Sequence, residues 1–466
     1  MNTRSYDVII VGTGPAGIFT AIELCRNTEN LRIAMFEKGG TLEERICPLQ
    51  MGEEGCKNCS PCVTVSGWGG AGAFSDGKLT LSPDVGGMLD QYMDLNKMKD
   101  LIDYVDSIYI EFGAPEKVYG IGQEEEIEEI RRKAVLAQMR FIHAPVRHMG
   151  TGRTKDILKN MRDYLLKRGV KIYCRKKVER IITEKNRAAG VVTSDGEQYR
   201  GRYIICAPGR EGAQWLLNEG KRLGISMAVN PVDIGVRVEV PAEIMKHITD
   251  VVYESKFIFY SQTFDDKVRT FCMNPNGEVV LEHMGDLVTV NGHTHAERKT
   301  NNTNFALLVS KTFTEPFKEP IAYGEYIGRL ANLLGESVLV QRLGDLLAGR
   351  RTTWDRLKKS PIDPTLTEAT PGDISLVFPY RHLVAIIEML RALDVVAPGV
   401  YSKYTLLYGV EVKFYSSRFE VNNFLETKIK NLYTAGDGAG ITRGLIQASI
   451  SGIVIARDIL KKEEIF

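Results

Sequence analysis

Residues 8–17 read Val-Ile-Ile-Val-Gly-Thr-Gly-Pro-Ala-Gly, and Glu37 lies twenty residues beyond Gly17. An apolar strand, a glycine turn and a helix start in that order leave few folds open. Gly12 permits the tight turn, Gly14 lets the backbone approach a diphosphate, and Gly17 lets helix and strand pack closely. The helix beginning near Pro15 and Ala16 offers free amides and the positive end of its dipole to an anion. A second strand over residues 31–36 delivers Glu37, followed by Lys38. A carboxylate there accepts hydrogen bonds from both ribose hydroxyls and repels a 2′-phosphate. The pattern therefore predicts a Rossmann-like βαβ unit that binds FAD or NAD rather than NADP.

The 466 residues exceed one small core and imply two or three domains. Lys plus Arg is 60 and Asp plus Glu is 59, so no basic footprint for nucleic acid is expected. The first residues lack the zones of a signal peptide, and the apolar stretch 8–24 fits strand–turn–helix better than a membrane span. The expectation is a cytoplasmic protein with no membrane or nucleic-acid partner and an oligomeric state that the sequence leaves open.

Further along, residues 91–145 read as mostly helical, with the charged run 124–133 a solvated helix face. Arg168-Gly169 ends a helix. Strands follow near 171–178, and residues 178–200, beginning at Val178, alternate as a small antiparallel meander turning at Asp195-Gly196. Residues 203–207, ending in Ala207, form an apolar strand stopped by Pro208-Gly209. A short strand at 430–435 precedes Gly436-Asp437-Gly438-Ala439-Gly440, and a long helix runs from about 444 to 461.

This closing segment resembles the two-domain flavoproteins of the glutathione-reductase type. In that group a carboxylate at this point binds the ribityl chain, a place taken here by Asp437 after Gly436. The following helix points its N-terminus at the pyrimidine end of the isoalloxazine, a place taken by Gly444, Leu445 and Ile446. The strand ending at Ala207 with Gly209 matches the group's strand-and-glycine element near the cofactor. The resemblance implies FAD. No second GxGxxG follows residue 150, so the chain resembles the branch with one nucleotide-binding fold and an inserted substrate domain. It is most similar to a family of bacterial FAD-dependent dehydrogenases. Residues 69–79 (GGAGAFSDGKL, with Gly70 and Gly72) look like that family's glycine-rich loop, and residues 148–151 (HMGT) like its short motif before a helix. Residues 271–277 (FCMNPNG) resemble its FCMCPGG element, with Asn274 in place of the second cysteine, and Asn291-Gly292 its NG element.

The expected architecture is α/β: a discontinuous FAD-binding domain over 1–225 and 396–466, carrying a cysteine segment at 41–66 and the helical segment 91–145, plus an inserted mixed α/β substrate domain over 226–395. Four of the eight cysteines, Cys47, Cys56, Cys59 and Cys62, have the spacing C-x8-C-x2-C-x2-C. Three cysteines at intervals of three can wrap one side of a [4Fe-4S] cubane while a distant Cys-Pro closes it. Zinc and a redox disulfide are the other readings. Lys78 is a candidate donor to a substrate carboxylate or to reduced flavin, and His148 a candidate proton donor. Trp68 either stacks over substrate or packs, and Cys272 reads as core. His293 and His295 read as loop histidines.

The reading is an FAD-dependent oxidoreductase acting on a small organic substrate by hydride transfer at flavin N5, with the cysteine centre or an electron-transfer protein relaying electrons. The alternatives are a flavin monooxygenase, a flavin dithiol oxidase and a non-catalytic FAD-binding sensor.

Overall fold

A computed structural model of the chain describes residues 4–48, 57, 59–75, 77–150, 153–228, 230–284, 287–294, 299–313, 316–317 and 319–465. The chain folds as two compact units. The first comprises Met1–Lys117, Arg147–Asn230 and Ser416–Phe466, and the second Val118–Val146 and Pro231–Tyr415.

The first unit is built on the predicted strand–turn–helix. Strand β1 (Arg4–Val11) is followed by helix α1 (Pro15–Asn27) and strand β2 (Ile33–Phe36). In the seven-stranded sheet β1 is central, parallel to β2 on one side and to Gln198–Cys206 on the other. The parallel set is completed by Lys171–Tyr173 beside β2 and Leu432–Thr434 beside the end of Gln198–Cys206. Val178–Glu184 and Arg187–Thr193 form the antiparallel meander. Gly196 makes its turn at φ +82°.

Val8, Ile9 and Ile10 are fully buried, as a parallel strand covered on both faces requires. One covering layer is α1 packed on the C-terminal helix Leu445–Lys462. A Cβ on Gly452 of that helix would fall 2.1 Å from the Ala16 carbonyl oxygen, so the two helices meet backbone to backbone. Thr20 seals the crossing by donating to the Gly452 carbonyl at 3.2 Å.

The second unit is an eight-stranded, mostly antiparallel sheet. Its order is Thr370–Pro371, Leu339–Arg342, Leu406–Lys413, Val232–Pro241, Asn302–Lys311, Lys267–Asn274, Lys256–Tyr260 and Met139–Ile142. The central strand Val232–Pro241 turns Ile234, Val236, Val238 and Val240 into an apolar core shared with Ile386, Met389 and Leu393 of the helix Tyr380–Val396. Its alternate positions bury charge. Asp233 pairs with Arg269 at 2.6 Å, Arg237 with Glu411 at 3.3 Å, and Glu239 accepts from Tyr408 at 2.6 Å. Burial pushes the Glu239 carboxyl above its usual range, against hydrogen bonds from Thr365, Tyr408 and Asn302 that pull it down.

Two expectations are corrected here. Residues 91–145 are not one helical appendage of the nucleotide domain: Met139–Ile142 is an edge strand of the second unit, paired with Lys256–Tyr260. The inserted domain begins at Pro231 and runs on to Tyr415, past the expected end at 395, because Leu406–Lys413 lies between Val232–Pro241 and Leu339–Arg342 in its sheet. Both shifts arise from pairings distant in sequence. Among the described residues no helix is long and apolar enough to cross a membrane.

Candidate functional site

The ends of the parallel strands bring the glycine motifs together at the start of α1. Gly12, at φ +105°, has the Ala207 carbonyl oxygen 2.0 Å from where a Cβ would lie, and Ala207 donates to the Val11 carbonyl at 2.8 Å. A Cβ on Gly17 would strike the Gly12 carbonyl oxygen at 2.1 Å. Gly14 differs: among the described residues nothing lies within 4 Å of its Cβ position. It is the N-cap of α1, with Pro15 at the first helical position, so the free amides of that turn face an uncovered backbone.

The remaining glycines close in on the same place. Gly70 begins a short helix, Gly70–Phe74, and its Cβ position is 3.2 Å from Gly14 Cα. That of Gly72 is 3.0 Å from Leu445 Cδ2, in the first turn of the C-terminal helix. That of Gly436 is 3.3 Å from Ala16 Cβ, and that of Gly438 would fall 2.3 Å from the Gly209 carbonyl oxygen. Gly209 itself and Gly444, the N-cap of the C-terminal helix, have no described atom within 4 Å of a Cβ position. Two helix N-termini with open caps thus flank one glycine-lined cradle. A dinucleotide fits this arrangement: its diphosphate needs amides without side chains in the way, and Gly14 supplies them. Ile446 is buried behind the second helix start.

Asp437 lies at the mouth of that second helix. Its Oδ1 accepts from Thr442 Oγ1 at 2.8 Å. Burial raises its pKa, against the charges of Arg210 and Arg443 and hydrogen bonds from Thr442 and the Gly444 backbone, all of which lower it.

Glu37 departs from the expectation of a carboxylate open to ribose. Its Oε2 accepts from the Thr13 amide at 3.2 Å and hydroxyl at 2.9 Å, and its Oε1 from the amides of Gly39 at 2.9 Å and Gly67 at 3.0 Å. Four donors take up the acceptor capacity of an ionised carboxylate. Glu37 is thereby the tie between the first glycine turn and the loop leading to Gly70. The Thr13 hydroxyl has a second acceptor in reach, the Gly67 carbonyl at 3.5 Å. Lys38 forms an ion pair with Glu211. Val178 is buried just past Lys176, whose amide donates to the Glu37 carbonyl at 2.8 Å.

Lys78 and His148 lie on adjacent strands, Lys78–Thr80 and Val146–His148. The neighbouring Met149 amide donates to the Gly77 carbonyl at 2.9 Å. Both candidate side chains are half-buried. Trp68 is fully buried and donates through Nε1 to the Leu158 carbonyl at 2.8 Å, which makes it a packing residue. Cys272 is not core. It is half-buried at a bulge with φ +44°, its carbonyl held by Arg237 Nη2 at 2.6 Å.

The cysteine run is described in part. Cys47 and Cys62 are half-buried and Cys59 is exposed, while Cys56 lies outside the described residues. Among the described residues no group of three His, Cys, Asp or Glu side chains is gathered to hold a metal. Of the two loop histidines, His293 is half-buried at the end of a strand and His295 lies outside the described residues.

Sequence reasoning missed three contributors. Thr13 gives Glu37 two hydrogen bonds from a variable position of the glycine motif. Loop 85–88 sits on the second helix start: Gln447 donates to the Val85 carbonyl at 3.0 Å, and the Met88 amide to that of Ile441 at 2.9 Å. The pair Gly86-Gly87, at φ +111° and +142°, is the signal that marked this loop. Arg45 is the third. It is 1% exposed and holds the loop between the cysteines and Gly70.

Comparison with known proteins adds the following. Residues 231–414, nearly the whole later segment of the second unit, match the family described as FAD-dependent protein, C-terminal domain-like. The chain is 27% identical over 481 aligned positions to an uncharacterized protein of Clostridium beijerinckii, an alignment covering 97% of this chain and 80% of that one. Among solved structures, it is similar to glycine oxidase from Geobacillus kaustophilus (13% identity, TM-score 0.40, covering 99% of this chain and 95% of that one). It is also similar to 3-ketosteroid-delta4-(5alpha)-dehydrogenase from Rhodococcus jostii (14%, 0.45, 97% and 96%) and to formate oxidase from Aspergillus oryzae (12%, 0.46, 100% and 100%).

Proposed function

We propose that the chain is an FAD-dependent oxidoreductase acting on a small organic substrate. The observation that carries this reading is the single cradle between two uncapped helix starts, open at Gly14, Gly209 and Gly444. The match of residues 231–414 to an FAD-dependent family supports it independently.

In this reading the amides of the first turn of α1 hold the diphosphate, and Asp437 accepts from the ribityl hydroxyls. The start of the C-terminal helix, at Gly444, Leu445 and Ile446, sets positive potential against the pyrimidine end of the ring. Rotation of the Thr13 hydroxyl toward the Gly67 carbonyl frees Glu37 Oε2 for a ribose. When bound, the flavin would supply hydride exchange at N5. Lys78 would contribute positive charge, and His148 a proton, from neighbouring strands. With one nucleotide-binding fold among the described residues, electrons would pass to or from an electron-transfer protein. A cluster or zinc on Cys47, Cys56, Cys59 and Cys62 is supported by their spacing alone. Purified protein is expected to be yellow, with stoichiometric FAD released on denaturation. Iron, sulfide and zinc analysis of the same sample decides the occupant of the cysteine run. A colourless protein that takes up no FAD on reconstitution would falsify the reading.

Asp437→Asn separates binding from stability. The amide still accepts from Thr442 but escapes the cost of burying an ionised carboxylate. The apoprotein should therefore melt a few degrees higher, while FAD affinity falls about tenfold through the loss of charge-assisted hydrogen bonds. Differential scanning calorimetry and flavin titration read the two effects.

A further inference from the structure

The geometry points to Arg45 as a positioning residue that holds the cysteine run and the nucleotide loop as one body, so that a change at Cys62 alters FAD affinity. The inference rests on the FAD reading above.

Arg45 is buried, yet the acceptors of its guanidinium are main-chain carbonyls of a single loop. Nε donates to Val63 at 2.8 Å, Nη2 to Thr64 at 3.0 Å and Nη1 to Trp68 at 2.6 Å. Its stem lies on Gly67, at φ +119°, where an added Cβ would meet Arg45 Cδ at 2.5 Å. The same loop is fastened at each end. At the cysteine end, the Cys62 carbonyl accepts from the amides of Val65 at 3.3 Å and Ser66 at 2.9 Å, and Cys62 Sγ is 3.1 Å from Thr64 Oγ1. At the nucleotide end, Gly67 donates to Glu37 at 3.0 Å, and the amides of Trp68 and Gly69 donate to the carbonyls of Gly40 at 3.0 Å and Thr13 at 2.8 Å.

Seven consecutive residues, 63–69, are therefore tied without a break between a cysteine and the loop that carries Thr13 and Gly14. A planar fork spanning three carbonyls fixes their relative positions, which a flexible ammonium cannot do. Displacing the Cys62 thiol from Thr64, by metal ligation or by covalent modification, moves the residue whose carbonyl Arg45 Nη2 holds. That displacement is passed along the strap to Gly67 and Glu37. Because linkage is reciprocal, FAD bound at Gly14 stabilises the same arrangement of Cys62.

A double-mutant cycle on FAD affinity tests this, read by quenching of flavin fluorescence on reconstitution of deflavinated protein. Cys62→Ala should weaken binding by about threefold in the natural background and by less than about 1.5-fold in Arg45→Lys, because coupled residues are non-additive. Arg45→Lys keeps the charge and is the variant used for folding. Alone it should weaken FAD binding by roughly tenfold, through the loss of the fork to three carbonyls. Equal factors for Cys62→Ala in both backgrounds, or no effect of Cys62→Ala in either, overturn the proposal. Failure of the natural protein to take up FAD defeats the FAD reading instead, and is distinguished by the absence of any quenching.

Discussion

Gly14→Asp is expected to leave the apoprotein as stable as before, or up to about 1 kcal/mol more stable, while FAD affinity falls by roughly two to three orders of magnitude. The two effects have separate causes. Gly14 is an N-cap with φ −78° and ψ −176°, an extended conformation open to any residue, and among the described residues no atom lies within 4 Å of its Cβ position. Among the described residues no side chain caps α1. Aspartate is among the best N-caps, so it satisfies amides of the first turn. The same carboxylate then occupies the ground where a diphosphate would lie and repels it. Gly12→Ala is the opposite case. Its Cβ would sit 2.0 Å from the Ala207 oxygen, at φ +105°, so the cost falls on folding, at about 3 kcal/mol or more. Thermal denaturation of both apoproteins with flavin titration of Gly14→Asp measures all of this. A Gly14→Asp protein that still binds FAD at natural affinity would remove the diphosphate from α1.

Glycine roles of this kind are readable in the sequence because they are local. The turn, the first helix and the spacing to Glu37 follow from residues within one βαβ unit, and the structure reproduces them. Gly169, at φ +82° after the helix Arg153–Lys167, is a similar local stop. What Glu37 does was not readable. Its partners include Gly67, thirty residues away, so the carboxylate expected to meet a ribose also ties the first glycine turn to the loop leading to Gly70. Arg45 was hidden for the same reason. Its acceptors are carbonyls, which carry no side-chain signature.

The second unit shows the limit most clearly. Met139–Ile142 is only four residues long, and its strand character comes from pairing with Lys256–Tyr260 more than a hundred residues later. Cys272 read as a core strand residue because Asn274, not a second cysteine, stands two positions on. The ladder with Asn302–Lys311 shifts register between Phe271 and Asn274, and that shift places Cys272 in a positive-φ bulge. Periodicity reports which face a residue shares with its neighbours. It does not report an extra residue inserted against a partner strand.

The second unit should also lose stability as pH falls from about 6.5 to about 4, by roughly 3 kcal/mol, through His382 alone. The ring is 2% exposed, and among the described residues neither of its nitrogens has a hydrogen-bond partner. Burial, with the positive charges of Lys311 and Arg381, pushes its pKa down to about 4, while Asp266 pulls it up less strongly. Asp266 is itself engaged by Lys311 and, at 2.6 Å, by Arg381. The direction follows from linkage. Below about pH 6.5 the unfolded histidine binds a proton that the folded one refuses, so the unfolded state gains, and the loss is complete once pH falls to the folded value near 4. The carboxylates of Asp233, Asp266 and Asp345, all held below their usual range by arginine or lysine partners, act in a lower window, as pH drops toward their depressed values. His382→Phe replaces the ring with an apolar one of similar size and should flatten the upper window while leaving the lower one. Hydrogen exchange across Tyr380–Val396 at a series of pH values reads this unit without interference from the other. A slope between pH 6.5 and 4 that survives in His382→Phe would place the proton on another group.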